Sequence, residues 1–314
     1  MSAATSGDDG ARRRLGRVLV TGAAGFLGGA LAKRLANDGE AVVISDLGQG
    51  AIVPTGLCAC DLTEPEQVEA LLRNQAIDTI IHAGAVSGPM VMADRPLDIW
   101  RINVTGTAHL LEAARRNRVS RFVLCSSIDV YGPNTAGTID EETPHAPETV
   151  YGASKVAAEA ALTGYAREHG IDGVAVRFSW IYGPGRRTPT TLERLIRAGL
   201  AGEAIALEDD ARQRTHYIFI ADAVAGVIAA AKAPAGLPRR AYNITAGHAV
   251  PLEQVVATLS AHLPALRATF RHHRSPLTGP TGFDLTNAAQ DLGYRPQVPL
   301  SEGLRRYAEA LGNE

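Results

Sequence analysis

Short apolar runs rich in β-branched residues alternate with longer amphipathic patterns through residues 17–182. The runs predict strands at 17–21, 41–45, 57–60, 78–82, 121–126 and 173–178, and the patterns between them predict helices at 26–37, 64–73, 96–117 and 150–169. Strands that are apolar on both faces and separated by helices are typical of a parallel sheet covered on both sides. The sequence therefore predicts an α/β fold with a doubly wound parallel sheet.

The turn between the first strand and the first helix is rich in glycine and reads TGAAGFLG. Its first glycine permits a tight turn, the second lets the backbone approach a pyrophosphate, and the third lets the helix pack close to the sheet. Because the motif follows a strand and opens a helix, it predicts a dinucleotide site in a Rossmann-type sheet. The candidate cofactor residues of this turn are Gly22, Ala24, Gly25, Phe26, Leu27 and Gly28.

Asp46 ends the second predicted strand and indicates which dinucleotide is bound. A carboxylate at this place accepts hydrogen bonds from both hydroxyls of the adenosine ribose and repels a 2′-phosphate. The next three residues are Leu, Gly and Gln, so no arginine follows to hold such a phosphate. The sequence therefore favours NAD over NADP.

The ends of the third and fourth strands supply further candidates for the cofactor site. Asp61, followed by Leu62, can accept from the adenine amino group or cap the helix that starts near residue 64. His82, Ala83 and Gly84 follow the fourth strand, and the small residues leave room for a cofactor. We expect His82 to pack rather than to take part in chemistry.

Tyr151 and Lys155 open the helix predicted at 150–169. Residues four apart lie on one face of a helix, and a lysine cation beside the ring is expected to lower the pKa of Tyr151. The phenol can then transfer a proton near neutral pH. Ser126 and Ser127 end the fifth strand, and the Ser127 hydroxyl can hold a substrate oxygen for Tyr151. We expect Ser127, Tyr151 and Lys155 to be catalytic.

The strand–helix rhythm loosens after residue 182, where Gly and Pro interrupt the chain. Helical patterns remain at 192–199, 222–233, 252–261 and 301–311. We predict a disordered N-terminal arm at 1–16, an NAD-binding domain at 17–182, to which 212–245 returns, and a smaller lobe at 183–314 that mainly binds substrate.

Composition excludes several other classes of function. The 314 residues carry a net charge of −2, and 5% of them are aromatic. A chain of this composition lacks the excess of positive charge that indicates binding to nucleic acid or to an anionic membrane. No apolar run reaches the ~18 residues of a membrane span. The three cysteines, Cys58, Cys60 and Cys125, lack the spacing of a zinc site or a disulfide framework. We therefore expect a cytoplasmic protein that binds a small molecule and no metal.

Taken together, these motifs resemble those of the extended short-chain dehydrogenase/reductases, specifically the NAD-dependent epimerase/dehydratase group that includes UDP-glucose 4-epimerase. The resemblance covers nearly the whole chain. It rests on 21–28, Asp46, 61–62, 82–84, 103–107, 126–132, 151–155, 182–185 and 284–294.

The resemblance implies a role for each site residue. Ser127 takes the position of the catalytic serine, Tyr151 that of the acid/base, and Lys155 also holds the nicotinamide ribose. Tyr151, Ser126 and Asn103 join the cofactor site, with Asn103 as structural support. In this family the tyrosine removes a hydroxyl proton while a hydride leaves for the nicotinamide. The helices at 96–117 and 150–169 would pair across a two-fold axis in a homodimer.

Two places depart from the family's pattern. Its dehydratases carry an Asp-Glu pair where this chain has Ile128 and Asp129, which argues against dehydration. Its sugar-nucleotide epimerases usually carry an asparagine where this chain has Trp180. The first departure favours an oxidation without elimination, and the second argues against a nucleotide-sugar substrate.

Arginines and cleft residues supply the candidate substrate contacts. A family arginine falls on Thr215, with Arg214 beside it, whereas Arg274 matches an arginine that holds the nucleotide end. Arg186 and Arg187 follow a Tyr-Gly-Pro-Gly turn and can grip a phosphate or carboxylate, or lie on a solvated surface. The candidate substrate residues are Ser87, Ser127, Trp180, Arg187, Arg214 and Arg274.

Three functions remain open at this point. The first is an NAD-dependent epimerase that transiently oxidises a secondary hydroxyl of a sugar or nucleotide sugar. The second is an NAD-dependent dehydrogenase of a free sugar, a sugar acid or another small hydroxy compound. The third is a regulator that senses NAD without turnover, which the Ser127, Tyr151 and Lys155 set argues against.

Overall fold

The computed structural model describes residues 13–48, 54–133, 137–272 and 280–313. Within these ranges fifteen strands form. They are β1 Arg17–Thr21, β2 Ala41–Asp46, β3 Cys58–Ala59, β4 Thr79–His82, β5 Arg121–Ser127, β6 Thr138–Ile139, β7 Gly173–Phe178, β8 Trp180–Tyr182, β9 Ala204–Asp210, β10 Arg214–Thr215, β11 Tyr217–Phe219, β12 Ala241–Ile244, β13 Val250–Pro251, β14 Arg267–His272 and β15 Gly282–Phe283.

The same ranges contain ten α-helices, a π-helical turn at Arg101–Thr105 and a 3₁₀ turn at Ile128–Tyr131. The α-helices are α1 Phe26–Asn37, α2 Pro65–Gln75, α3 Pro96–Trp100, α4 Gly106–Arg116, α5 Val150–His169, α6 Thr191–Ala201, α7 Ile220–Lys232, α8 Leu252–His262, α9 Thr286–Leu292 and α10 Leu300–Gly312.

Seven parallel strands form the central sheet, in the order β12-β7-β5-β4-β1-β2-β3. The chain runs outward from β1 through β2 to β3 on one side, and from β4 through β5 and β7 to β12 on the other. The order therefore reverses between β1 and β4, where open parallel sheets bind their ligands beyond the carboxyl ends of the strands. The predicted doubly wound, Rossmann-type sheet is confirmed.

Side chains alternate between the two faces of the sheet and build a core on each. Val18 and Val20 of β1 pack in one core with Leu31 of α1 and Val227 of α7. Leu19 faces the other way, in a second core that also holds side chains of α2, α4 and α5. Because both faces of β1 are covered, its sequence reads as a continuous apolar run rather than an alternating one.

One helix that the sequence predicted as continuous is interrupted in the structure. The segment predicted as a single helix at 96–117 forms α3, the π-helical turn Arg101–Thr105 and α4. The side chain of Asn103, within the π-helical turn, is buried and makes three hydrogen bonds. We attribute the wider turn to these bonds, since a local widening of a helix re-aims a side chain at a functional site.

Beyond β8 the chain both returns to the sheet and builds a separate layer. Helix α7 packs against β5 and β7, and β12 pairs with β7, so this part of the 212–245 segment belongs to the central sheet. Helices α6, α8 and α10 pack together beside short two-stranded pairs. The assignment of 183–314 as the substrate lobe stays a prediction.

Three further properties of the described ranges bear on function. No helix within them is long and apolar enough to cross a membrane. No group of three or more His, Cys, Asp or Glu side chains in the same ranges is arranged to hold a metal ion. All three cysteines are free.

Candidate active site

The glycine-rich turn brings the backbone of β1, α1 and the end of β4 into close contact. Gly22 has a φ of +69°, and a Cβ atom there would lie 2.6 Å from the carbonyl oxygen of Ala83. A Cβ on Gly28 would overlap the carbonyl oxygen of Gly22. Both positions therefore require glycine, one for its backbone conformation and the other for the close packing of the turn on α1.

Helix α1 begins in this turn without a cap of its own. Its N-cap residue is Gly25, no side chain caps its N-terminus, and its first turn has no acidic residue. The backbone N–H groups at the start of α1 are thus left to an external acceptor, with the helix dipole favouring a negative charge. These residues fit the pyrophosphate of a dinucleotide, with Phe26, Leu27 and Gly28 supplying N–H groups.

Asp46 lies at the end of β2, directly beside this turn. Its carboxylate accepts hydrogen bonds from the backbone N–H of Ala24, at 3.0 Å, and from that of Leu47, at 2.7 Å. These two bonds fix the orientation of the carboxylate and leave lone pairs for other donors. The geometry suits an acceptor for two ribose hydroxyls.

His82 is buried at the end of β4 and holds neighbouring elements together. One ring nitrogen lies 2.8 Å from the hydroxyl of Thr21 and the other 3.0 Å from the hydroxyl of Thr107. Burial, reinforced by the Lys155 charge, lowers the pKa of His82 to about 3, so the ring stays neutral. These two contacts join β1, β4 and α4, and a contact of His82 with the cofactor stays a prediction.

The other predicted cofactor residues also border the turn. A Cβ on Gly84 would touch the Leu62 side chain, so the loop after β3 packs against the segment that follows β4. Asp61 accepts from both the backbone N–H and the hydroxyl of Thr63, each at 2.8 Å. It thus stabilises the turn before α2, whose N-cap is Glu64.

Asn103 supports the site from the π-helical turn. Its amide group bonds both the N–H and the carbonyl of Val86, and it donates to the hydroxyl of Ser154 on α5. The loop after β4 is thereby fixed relative to the helix that carries Tyr151 and Lys155.

The structure brings Ser127, Tyr151 and Lys155 together at the carboxyl end of β5. The Ser127 hydroxyl accepts a hydrogen bond from the backbone N–H of Asp129 at 3.2 Å, and it lies near enough to the Tyr151 phenol, as does the backbone of Gly88, to lower the pKa of that phenol. Lys155 donates to the carbonyl of Cys125 at 2.9 Å, and its ammonium lies 5.8 Å from the centre of the Tyr151 ring. A hydroxyl, a phenol and a buried ammonium in this order suit the transfer of a proton to or from a bound alcohol.

The pKa of Tyr151 differs from the expectation. Burial raises it well above its ordinary value, the nearby carboxylate of Asp129 raises it further, and the Ser127 hydroxyl and the Gly88 N–H oppose the rise. The Lys155 ammonium donates its hydrogen bond to a backbone carbonyl. The ammonium is itself buried, and this burial lowers the pKa of Lys155 to about 8. The predicted lowering by Lys155 is therefore not what the structure shows.

Ser126 faces the interior, unlike its neighbour Ser127. Its hydroxyl donates to Glu159 at 2.5 Å, and Glu159 forms a buried ion pair with Arg177 at 2.7 Å. Arg177 also donates to the hydroxyl of Tyr131, which is fully buried. Any contact of Ser126 with the cofactor is thus left to its backbone, and Tyr131 packs in the interior rather than lining the cleft.

The predicted substrate residues lie in different environments. Ser87 and Arg187 are exposed, and Arg214 is half-buried on β10. Trp180 is half-buried on β8, and the guanidinium that stacks on it, 5.0 Å from the ring centre, belongs to Arg186 rather than Arg187. Arg274 lies outside the described residues.

Sequence reasoning missed two groups close to the catalytic set. Asp129 acts on the pKa of Tyr151, and burial raises its own pKa. Arg186 was named only as one of two adjacent arginines. The turn before it contains Gly183 and Gly185, with φ values of +139° and +88°, and after this turn Arg186 packs on Trp180 while Arg187 is exposed.

Comparison with known proteins agrees with this geometry. The family model of the NAD dependent epimerase/dehydratase family matches residues 18–245. A UDP-glucose 4-epimerase of Mycolicibacterium smegmatis is 31% identical over 95% of this chain and 99% of its own. A dTDP-glucose 4,6-dehydratase of an Actinoplanes species is 28% identical over 92% of this chain and 95% of its own. The solved structure of MoeE5 with UDP-glucuronic acid and NAD is 32% identical, with a TM-score of 0.81 over 95% of this chain and 99% of that one.

The chain therefore belongs to the NAD-dependent epimerase/dehydratase family. It is an NAD-dependent enzyme of the extended short-chain dehydrogenase/reductase type.

Proposed function

We propose that this enzyme is an epimerase that transiently oxidises a secondary hydroxyl of a nucleotide-linked sugar and then reduces the ketone on its other face. The observation that carries the proposal is the grouping of Ser127, Tyr151 and Lys155 at the end of β5, with the Lys155 ammonium 5.8 Å from the centre of the Tyr151 ring. This group lies at the carboxyl ends of the strands, as does the dinucleotide cradle formed by residues 22–28 and Asp46. NAD, when bound, supplies the acceptor and later the donor of the hydride.

The residues of the chain handle the proton and the position of the sugar. Tyr151 takes the proton of the reacting hydroxyl, and Ser127 holds the same oxygen by a second hydrogen bond. The phenolate form of Tyr151, which accepts this proton, is favoured by Ser127 and Gly88 and disfavoured by burial. Lys155, whose ammonium is 5.8 Å from the ring centre, would hold the nicotinamide ribose, as the resemblance implies. When the ketone is reduced, Tyr151 returns the proton.

Elimination of water is less well supported, although dehydratases occur among the relatives. Dehydration needs an acid to protonate the leaving hydroxyl. Ile128 stands at the position where the family's dehydratases carry it, and it packs against the small apolar cluster of Val130, Tyr131, Ile139 and Phe283. Asp129 alone does not replace a pair of carboxyl groups.

A dehydrogenase is the second candidate, and Trp180 is the observation that favours it. Trp180 and the stacked Arg186 occupy the place where the family's nucleotide-sugar epimerases carry a small amide. Thr215 likewise lacks the guanidinium expected for a nucleotide. A free sugar acid or a similar hydroxy compound would then be oxidised, with release of the ketone and NADH.

The two candidates differ in what the cofactor does after oxidation. An epimerase gains from keeping NAD through the cycle, whereas a dehydrogenase must release NADH each turnover. Bound nucleotide is measured by ultraviolet absorbance and acid extraction of the purified protein. We then add UDP-glucose or UDP-glucuronic acid and follow the sugar by NMR and NADH by absorbance.

We expect retained NAD and an epimeric product without stoichiometric NADH. Protein that purifies without nucleotide and forms NADH in proportion to an added sugar acid would establish the dehydrogenase instead. Binding of NAD with no reaction on any sugar or sugar acid would favour a sensor.

We also propose a homodimer. Leu97 and Trp100 on α3 and Val150 at the start of α5 are large apolar side chains that stay exposed, at 69%, 42% and 43%. All three belong to the segments that pair in the resemblance drawn from the sequence. Light scattering should give twice the monomer mass, and a monomer at micromolar concentration would contradict the proposal.

A cytoplasmic location stays a prediction from the sequence.

A further inference from the structure

The cleft has two walls: a cofactor wall formed by residues 22–28 and Asp46, and an opposite wall formed by β8 and the turn after it. Arg186 lies between them. Its guanidinium is 5.0 Å from the centre of the Trp180 ring and 5.9 Å from that of Phe26, the first residue of α1. One terminal nitrogen donates to the carbonyl of Ile181 at 2.7 Å. The side chain thus reaches from the turn after β8 to the start of the dinucleotide cradle.

This guanidinium carries its charge without a carboxylate partner in the described part of the chain. Its Nε is buried and has no hydrogen-bond partner. Burial lowers the pKa of Arg186, and the phenols of Tyr307 and Tyr151 oppose that decrease electrostatically. A buried donor without an acceptor is destabilising, so a position like this one is explained by an acceptor that arrives from outside.

The two aromatic rings restrict how such an acceptor can approach. Trp180 and Phe26 lie against the guanidinium, and the bond to Ile181 holds one of its ends. The acceptor must then approach the remaining N–H edge. Planar N–H donors at the edge of a guanidinium match the two oxygens of a carboxylate.

We propose that Arg186 binds a carboxylate on the sugar whose hydroxyl is oxidised, so that the enzyme acts on a uronate-type substrate. The proposal rests on the proposed function, because it takes the sugar to lie between Tyr151 and Arg186. It separates Arg186 from Arg187, which is exposed and faces solvent.

The same chemistry, an oxyanion on a guanidinium, has one other source. The pyrophosphate of NAD would be held at the start of α1, and the Phe26 ring there is 5.9 Å from the Arg186 guanidinium. We favour the sugar because the uncapped N–H groups of α1 would hold the pyrophosphate, and because the guanidinium lies closer to the ring centre of Trp180, at 5.0 Å, than to that of Phe26.

The test compares matched ligands on the NAD-loaded, full-length enzyme. Calorimetry measures the affinity of two pairs that differ in a carboxylate against a hydroxymethyl group, namely UDP-glucuronic acid with UDP-glucose and glucuronic acid with glucose. The variants are Arg186→Met, Arg186→Lys and Arg187→Met, with Arg194→Met as a control on the exposed face of α6. NAD affinity is measured for each variant separately.

We expect wild-type enzyme to prefer the acid in at least one pair by at least ~10-fold, the usual size of a charge-assisted pair. Arg186→Met should remove that preference, because the affinity for the acid should fall while the affinity for the neutral sugar should stay within ~3-fold of wild type. Arg186→Lys should keep part of it, and Arg187→Met and Arg194→Met all of it.

Other results would overturn the proposal in identifiable ways. Equal affinity for acid and neutral sugar, or no binding of either acid, would show that the enzyme does not recognise a carboxylate. Loss of the preference for the acid in Arg187→Met would show that Arg187, and not Arg186, binds the carboxylate. A weaker NAD affinity in Arg186→Met with the sugar preference intact assigns the guanidinium to the pyrophosphate. Epimerisation of UDP-glucose without acid preference would refute this inference alone, and acid binding through Arg186 without epimerisation would refute only the proposed function.

Discussion

The two walls of the cleft are built by different means. On the cofactor side, backbone groups do most of the work: a glycine turn, the uncapped start of α1 and one carboxylate held by two N–H groups. On the side that we propose binds the substrate, long side chains from β8 and the following turn form the wall, with Arg186 stacked on Trp180. A backbone site tolerates almost no change of shape, whereas a side-chain site can be altered one residue at a time.

Tyr151 lies where the two walls meet, and its removal should have the largest effect. Tyr151→Phe keeps the ring and deletes the proton-transfer group. We expect hydride transfer to fall by ~100-fold or more while NAD affinity stays close to wild type. Single-turnover absorbance and NAD titration measure the two quantities.

Tyr165→Phe is the matched control, since this tyrosine is on the same helix and its hydroxyl bonds Glu112 near the surface. Near-normal turnover in Tyr151→Phe would place the proton transfer on another group. Asp129, two residues after Ser127 in sequence, would then be the first to examine, because Tyr131 is fully buried.

The cofactor wall should be sensitive to a single methyl group. In Gly28→Ala the new Cβ overlaps the backbone of Gly22, so the turn or the helix must shift. We expect a loss of ~1–3 kcal/mol in the free energy of unfolding and a large loss of NAD affinity. Chemical denaturation and NAD titration test both.

Gly164→Ala provides the comparison, because this helical glycine on α5 has nothing within 4 Å of an added Cβ. It should be neutral or stabilising by up to ~1 kcal/mol. If the two alanine variants behave alike, close packing is not what requires glycine at residue 28.

Asp46 tests whether the cofactor wall also selects the cofactor. Asp46→Ala removes the acceptor for the ribose hydroxyls, so NAD affinity should fall by ~10-fold or more, with NADP affected less. Asp38→Ala, at the surface end of α1, should change neither affinity. Wild-type enzyme that binds NADP as tightly as NAD would show that Asp46 does not discriminate.

The smallest effect is expected on the substrate wall. Trp180→Ala removes a cation–π contact with Arg186 that is worth ~0.5–1 kcal/mol at a partly exposed site, so substrate KM should rise only a few-fold. Trp180→Phe should retain most of it. A fall in NAD affinity as large as that of Asp46→Ala would mean that the two walls are not separate.

The sequence by itself determined the sheet, the dinucleotide cradle and the grouping of Ser127, Tyr151 and Lys155. These features depend on short spacings: a strand followed by a glycine turn, or two residues one helical turn apart, with geometry fixed by the backbone. The ends of parallel strands meet at one edge of a sheet whatever their side chains are, which is why distant strand ends could be assigned to one site.

Only the tertiary structure decided the orientation and charge of individual side chains. Ser126 faces Glu159, which is 33 residues away, and Arg186 packs on Trp180 while the adjacent Arg187 is exposed. Burial raises the pKa of Tyr151 where sequence spacing predicted a lowering. Rotamers, turns and desolvation depend on everything packed around a residue, and that surrounding is assembled from segments far apart in the chain.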